Sequence, residues 1–320
     1  MIRFLLTRGH HYTLEQVRKS RQAPHIGLMN YDTLIRARWL RRATYVFADI
    51  DRLSFWDLEL ASRVYLQLKN AGLSVWNNPV KVKTRYPLLR ALHTAGLNDF
   101  NAYRVDEINS AMRFPVFLRK LHGHDGALRD LLHTQEDVEK AIEVTITAGI
   151  PAQNLVVIEF AGEPVRPGVY RKLSAFRIGG SVVQLSCMHN TLWLVKLGKI
   201  GIAGEELYRD GLNLVQTNPF AEHLQKVFEL ACIDYGRADF GFYQGRLQVY
   251  EINTNPHINP PSAHPSASYV ETMRLDWENF LRELSALDSN AGGWPIRLDE
   301  GNLQRHRSWR NLFDRSRAVP

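Results

Sequence analysis

The sequence predicts a mixed protein: a parallel-sheet α/β unit, followed by two α+β layers. Three observations predict it. Over residues 1–110, short apolar β-rich stretches alternate with helical repeats, the pattern of a parallel sheet with crossover helices. Further on, strands come in pairs around glycine turns, at Gly179-Gly180 and Gln244-Gly245. The chain has 320 residues, more than one hydrophobic core usually organises, so two or three packed units are expected.

The elements follow in order. Residues 1–7 are apolar and read as a first buried strand, being too short for a signal peptide and followed by no small-residue cleavage site. Residues 43–50 are a second such strand. Residues 55–68 carry apolar side chains at steps of three and four, as an amphipathic helix does, and Gly72 stops it. Residues 73–76 read as a strand ending at Asn77-Asn78-Pro79, and residues 84–94 as a helix closing at Gly96. A strand over 114–119 leads into a glycine-bearing loop, His122-Gly123-His124-Asp125-Gly126. A helix over 136–148 is capped by Thr134, and 155–160 is a buried strand. Strands over 169–178 and 181–186 flank Gly179-Gly180. Residues 190–216 are poorly patterned, which suggests a long functional or mobile connection. A helix over 220–231 precedes a hairpin of 235–243 with 247–253, then a loop rich in Pro and His over 256–265. A long helix over 268–284 and a basic tail, with a further helix near 303–313, complete the chain. The unit limits expected are 1–110, 111–180, 181–287 and 288–320.

Composition narrows the function. Hydrophobic residues make up 45% and charged residues 23%, ordinary for a globular protein. No apolar run approaches the ~20 residues that span a bilayer. Two cysteines, Cys187 and Cys232, form neither a disulfide framework nor a metal-ligand spacing, which points to a reducing cytoplasm. The net charge of +7 suits either a solvated basic surface or a site for a polyanion. The basic clusters at 36–42 and 305–317 carry no nucleic-acid-binding motif. No Gly-x-x-x-x-Gly-Lys-Ser/Thr loop is present, so any nucleotide is held without a P-loop.

The stretch that carries chemistry is Arg237-Ala238-Asp239-Phe240-Gly241 with Tyr250-Glu251-Ile252-Asn253-Thr254-Asn255-Pro256. On a strand Glu251 and Asn253 share a face. A three-residue turn centred on Gly245 puts Asp239 opposite Glu251; a two-residue turn at Gln244-Gly245 puts it opposite Tyr250. In the first register two carboxylates and an amide oxygen converge, a donor set that suits Mg²⁺. The bland alternative is a solvated acidic pair. The core-like flanks Phe240, Phe242, Val249 and Ile252 argue against it, as does the cost of opposing like charges.

This pair of strands resembles the metal-binding hairpin of the ATP-grasp superfamily, as found in D-alanine–D-alanine ligases and ribosomal-protein glutamate ligases. The resemblance covers about residues 75–285. It implies an ATP-grasp fold, with an N-terminal Rossmann-like α/β subdomain and two α+β subdomains clamping ATP. It implies two Mg²⁺ (Mn²⁺ being an alternative) on Asp239, Glu251 and Asn253, and Arg237 on the transferring phosphate. Arg85 and Arg119 stand where the family has ATP-binding lysines, with Lys120 beside Arg119. Arg keeps the charge and offers a planar fork for phosphate. Glu159, Phe160 and Ala161 match the strand that borders the adenine, and Lys172 follows on the next strand. His257 replaces a glycine often found after the motif's proline.

The implied activity is that of a Mg²⁺- and ATP-dependent ligase. It activates a carboxylate as an acyl phosphate and transfers it to an amine, on small-molecule or peptide substrates. His257 and His264, on a loop stiffened by four prolines, are candidates for taking the proton of the attacking amine. A phosphotransferase on the same fold and a non-catalytic nucleotide-binding protein are the alternatives. A homo-oligomer is compatible with the sequence.

Overall fold

The structure, a computed structural model, describes residues 1–123, 126–289 and 291–299. His124 and Asp125 of the glycine-bearing loop, the basic cluster at 305–317 and the helix expected near 303–313 lie outside the described residues.

The first unit comprises β1 (Ile2–Leu6), α1 (Glu15–Lys19), β2 (Ile26–Asn30), α2 (Tyr31–Arg36), β3 (Trp39–Leu40), β4 (Thr44–Phe47), α3 (Phe55–Asn70) and β5 (Val75–Trp76). β1, β2, β4 and β5 form a parallel sheet in the order β2-β1-β4-β5. Both faces of this sheet are covered, which is why β4 reads as an unbroken apolar run. Leu5, Tyr45 and Phe47 pack on Leu60, Val64 and Leu68 of α3. Ser54 caps α3 by accepting from Asp57 N, and Gly72 ends it at φ 77°.

The second unit follows α4 (Arg85–Thr94) and comprises β6 (Ala102–Tyr103), β7 (Val116–Lys120), α5 (Gln135–Thr147) and β8 (Leu155–Glu159). Its sheet runs β6-β8-β7, antiparallel throughout. The Thr134 cap takes the form of a capping box with Asp137. Val138, Ala141 and Ile142 of α5 pack on Val116, Leu118 and Leu155.

The third unit comprises β9 (Pro164–Arg166), β10 (Val169–Ile178), β11 (Ser181–Gln184), β12 (Met188–Asn190), α6 (Glu205–Thr217), α7 (Ala221–Ala231), β13 (Tyr235–Tyr243), β14 (Arg246–Asn253) and α8 (Ala267–Ala286). Its six-stranded sheet is ordered β11-β10-β13-β14, with β9 and β12 also pairing β10. Thus β10 precedes residue 180 yet pairs β13, and β6 precedes residue 110 yet pairs β8. α6 corrects the reading of 190–216 as unpatterned connection. Gly211 hides the helix in the sequence, but a Cβ there would lie 3.4 Å from Cys187 Sγ. The helix passes close to Cys187 there and carries glycine despite its helix cost of about 1 kcal/mol. Of the expected tail, β15 (Ile296–Arg297) pairs β3, and Leu298 is buried in the first unit's core.

First and third units share a core. Phe4, Val46 and Ala48 meet Phe176, Tyr235, Phe280 and Leu284. Asn77, fully buried, bolts them together. Its Nδ2 donates to Phe47 O (3.0 Å) and Tyr235 O (2.8 Å), and its Oδ1 accepts from Asp234 N (2.8 Å) and Tyr235 N (2.9 Å). That is the full capacity of an amide side chain. Asp276 of α8 sits near the same core. One oxygen accepts from Ser186 N at 2.7 Å and the other has no hydrogen-bond partner, and burial pushes its pKa up to about 7. Among the described residues, no helix is long and apolar enough to cross a membrane.

Candidate active site

The hairpin β13–β14 has both features that the sequence set against each other. Tyr243 pairs Arg246 around a two-residue turn, with Gln244 and Gly245 at φ 51° and 73°. Asp239 nonetheless faces Glu251, because Phe240 pairs Val249 and Tyr250 is the extra residue of a β-bulge. The two-residue turn therefore coexists with the register that the sequence tied to a three-residue turn. Gly241 makes room for the bulged side chain: a Cβ there would lie 2.5 Å from Tyr250 Oη, whose hydroxyl donates to Ala161 O at 3.2 Å.

The facing carboxylates are each held by cations. Asp239 is buried. Its Oδ2 accepts from Lys172 Nζ, and its Oδ1 from Arg237 Nε and Ser174 Oγ, all at 2.9 Å. Burial alone would raise its pKa; the charges of Arg237 and Lys172 outweigh that and hold it below the usual carboxylate range. Glu251 Oε2 accepts from Arg119 Nη2 (2.9 Å) and Arg85 Nη2 (3.0 Å). Burial lowers the pKa of the Arg119 guanidinium against the pull of Glu251, and Arg85 lowers it further. Asn253 pairs Arg237 across the hairpin, and its Oδ1 accepts from Asn255 N at 2.8 Å.

A cavity of about 440 Å³ opens over this hairpin. Arg119, Lys172, Arg237, Asp239, Glu251 and Asn253 line one part of it, and Glu159, Phe160 and Ala161 line another with Phe117, Ile158 and Trp193. His257 also lines it, edge-on to Tyr12 with ring centroids 5.6 Å apart. Three expected residues lie outside the lining. Arg85 donates to the carbonyls of Lys120, Leu121 and Gly123 as well as to Glu251, so it ties the end of β7 to the hairpin. Lys120 is one residue from Arg119 and so faces the other side of β7. His264 Nδ1 accepts from Ser266 N (3.1 Å) at the start of α8, and its ring packs on Tyr208 and Tyr269.

Glu159 is buried and held mainly by neutral donors, with the Arg113 guanidinium farther off at 3.8 Å. Its oxygens accept from Asn101 N (3.0 Å), Arg113 N (2.8 Å) and Tyr103 Oη (2.9 Å).

Sequence reasoning missed two parts of the lining. One is Trp193 to Leu197, from the connection before α6. Trp193 packs its ring on Phe117 and Phe160, at 5.1 and 5.4 Å between centroids. Across the cavity, Lys196 lies over Gly126, where a Cβ would come within 2.3 Å of Lys196 Cε. The other is His10, Thr13, Asp49 and Arg52, from the first unit. Asp49 follows an apolar strand of a parallel sheet, where ligands commonly bind, and that was the available signal.

The donor set fits a hard divalent cation. Oxygens of Asp239 and Glu251 face each other, and Asn253 supplies an amide. Among the described residues, no group of three or more His, Cys, Asp or Glu could hold a metal ion by itself, so such a cation would need further oxygens from a ligand.

No protein-family model matches the chain, and no curated protein matches it by sequence. Solved structures do. An ATP-grasp ligase, PsnB, complexed with minimal precursor is 13% identical, over 89% of this chain and 99% of that one, with a TM-score of 0.50. D-alanine–D-alanine ligase from Bacillus anthracis complexed with ATP is 13% identical over 89% and 99%, with a TM-score of 0.47. The D-alanine–D-alanine ligase from Coxiella burnetii is 11% identical over 90% and 98%, with a TM-score of 0.48. At such identities the likeness speaks for the fold, and the argument rests on the first of the three. A parallel α/β unit followed by two antiparallel layers around a shared cavity, superposing on that ligase over nearly its whole length, has the ATP-grasp fold.

Proposed function

We propose that this protein is an ATP- and Mg²⁺-dependent ligase that joins a carboxylate to an amine through an acyl phosphate. One observation carries the reading: facing carboxylates, Asp239 and Glu251, are each neutralised by two cations inside a cavity with an aromatic end. Those charges suit a polyanion bound together with divalent cations. Mg²⁺, or Mn²⁺ in its place, would sit on Asp239, Glu251 and Asn253 and offset the charge of the phosphates.

The chain's own residues divide the remaining work. Arg119, Lys172 and Arg237 bind phosphate oxygens, and Arg85 holds the end of β7 in position. Phe160, Ala161 and Trp193 enclose the base. Lys196 and the loop at Gly126 exclude water, which an acyl phosphate requires. In the overall reaction, ATP gives its terminal phosphoryl group to a carboxylate oxygen. The amine nitrogen then attacks the carbonyl carbon. The bond to the phosphate oxygen breaks with its electron pair on phosphate, and the ammonium gives up two protons. His257 lines the cavity and remains a candidate for accepting one of them. The unit 1–110 is proposed as the N-terminal subdomain and 111–180 and 181–287 as the two halves of the clamp, with β6 joining the first half and β9 and β10 the second.

Mass spectrometry after incubation with ATP, Mg²⁺ and a pool of amino acids and short peptides tests this. A ligase yields ADP, phosphate and a condensation product lighter by one water than its two substrates. A phosphorylated product would make it a phosphotransferase, and the absence of both products with ATP bound would make it a nucleotide-binding protein.

A further inference from the structure

We propose that the outer face of the β3–β15 ribbon is a binding surface for single-stranded nucleic acid. The proposal is independent of the ligase reading and needs neither the cavity nor ATP. It starts from the register of the ribbon. Ile296 pairs Leu40 and Arg297 pairs Trp39, and Leu298 N donates to Arg38 O at 3.0 Å. Leu40 and Leu298 are buried in the first unit's core, and Ile296 packs against it. Side chains alternate between the faces of a strand. Trp39 and Arg297, directly opposite each other, therefore face outward, and Arg41 shares their face.

Two kinds of side chain make up that face. Trp39 is 59% exposed, and Trp294, which leads into β15, is 90% exposed. Arg41 and Arg297 are exposed and make no ion pair among the described residues. A Cβ built on Gly293 would stand 3.4 Å from Arg42 Cδ, so the chain reaches Trp294 alongside Arg42. Residues 36–42 hold four arginines and no acid, and Asp299 is the acid that follows Arg297 along the chain. The two strands thus bring a run of arginines and two exposed indoles to one place.

Guanidinium groups bind phosphate through paired N–H donors. An exposed indole offers a face on which a base can stack. A polyanion with free ring faces uses both. A duplex keeps its base faces stacked inside, and an acidic polypeptide would engage the arginines and leave the indoles without a matching group. The surface therefore fits a single strand, held by backbone and base faces without regard to sequence. No motif announces it, because Trp39 and Trp294 lie near opposite ends of the described chain and only the pairing of β3 with β15 joins them.

Fluorescence anisotropy on the full chain tests the proposal. The probes are labelled oligouridine and oligothymidine of about 20 nucleotides; the competitors are a duplex of the same length and polyglutamate. A single strand should bind at low salt and weaken as salt rises. Trp39→Ala and Trp294→Ala should each weaken it by about fivefold or more, the worth of one stacked base, and Trp39→Phe should recover part of the loss. Arg41→Gln and Arg297→Gln should each flatten the slope of log affinity against log salt by about 0.7. The arginine variants also cover the case in which a Trp39 variant fails to fold. Tighter binding of oligouridine would point to RNA and of oligothymidine to DNA, and either upholds the proposal. Absence of binding by the wild type overturns it. So does binding that the ribbon variants leave unchanged, which would move the contact to another basic part of the chain, such as the cluster at 305–317. Displacement of the probe by the duplex or by polyglutamate as readily as by unlabelled single strand overturns it as well, in favour of a duplex or an acidic protein.

Discussion

The molecule holds the carboxylates that line one cavity in two different ways. Glu159, at the end of β8, accepts hydrogen bonds from two backbone amides and a phenol, and its one cationic neighbour, Arg113 Nε, stands off at 3.8 Å. Asp239 and Glu251, on the hairpin, are satisfied largely by cationic side chains. Neutral donors fixed in the backbone have nowhere else to go, so Glu159 is a brace. Lysine and arginine side chains can turn to a second anion, so the hairpin's charges are exchangeable. A buried acid therefore reads as structural or functional by what holds it, and burial by itself does not distinguish the two.

The strongest test of that contrast is Glu251→Gln. Its effect should fall on chemistry: ADP formation should drop by a factor on the order of 10² or more, with the chain still folded by circular dichroism. Near-normal turnover would remove Glu251 from the site. Glu159→Leu should do the reverse. It strands two buried amides and the Tyr103 hydroxyl, so urea denaturation should show a loss of about 3 kcal/mol or more, with nucleotide affinity per folded molecule retained. A loss below about 1 kcal/mol would mean that water satisfies those donors.

Asp276 sharpens the comparison with a third solution, in which the acid keeps its proton. Its folded pKa of about 7 lies above the value of about 3.9 expected in the unfolded chain. Between those values the unfolded state releases a proton that the folded state retains. Stability from this group is thus complete below pH ~4 and lost as pH rises through about 7. Asp276→Asn should remove that decline. Chemical denaturation of variant and wild type should diverge from pH 4 to 8 by an amount on the order of 4 kcal/mol. Parallel stability curves would show that Asp276 ionises freely in the fold.

Most helices and long strands were legible in the sequence because local chemistry marks their ends. Thr134, Gly72 and Gly96 are such marks. The hairpin was legible because its two strands carry a recognisable order of residues. Its register was not derivable by counting back from the turn, because the Tyr250 bulge restores the pairing that the two-residue turn would otherwise shift. α6 was hidden by Gly211, a poor helix former in the middle of the segment. Asp49, Arg52 and His10 are distant from the hairpin in sequence and carry no motif. Only the strand order of the sheet brings them to the cavity.

Asn77 has a mechanical consequence. With four hydrogen bonds and a common apolar core, the first and third units are fastened into one body. The sheet β6-β8-β7 and its loops meet that body through the Arg119 pair to Glu251 and through Arg85 of α4, which bridges the end of β7 to Glu251. Arg113 on Tyr243, Phe117 on Trp193, His122 on Asp51 O and a smaller apolar patch at Tyr243 and Tyr250 add to the contact. Opening and closing therefore belong to the middle unit alone, a single jaw working against a fixed anvil. The two arginine pairs are its latch, and an arriving polyanion would release the very contacts that hold the empty jaw shut.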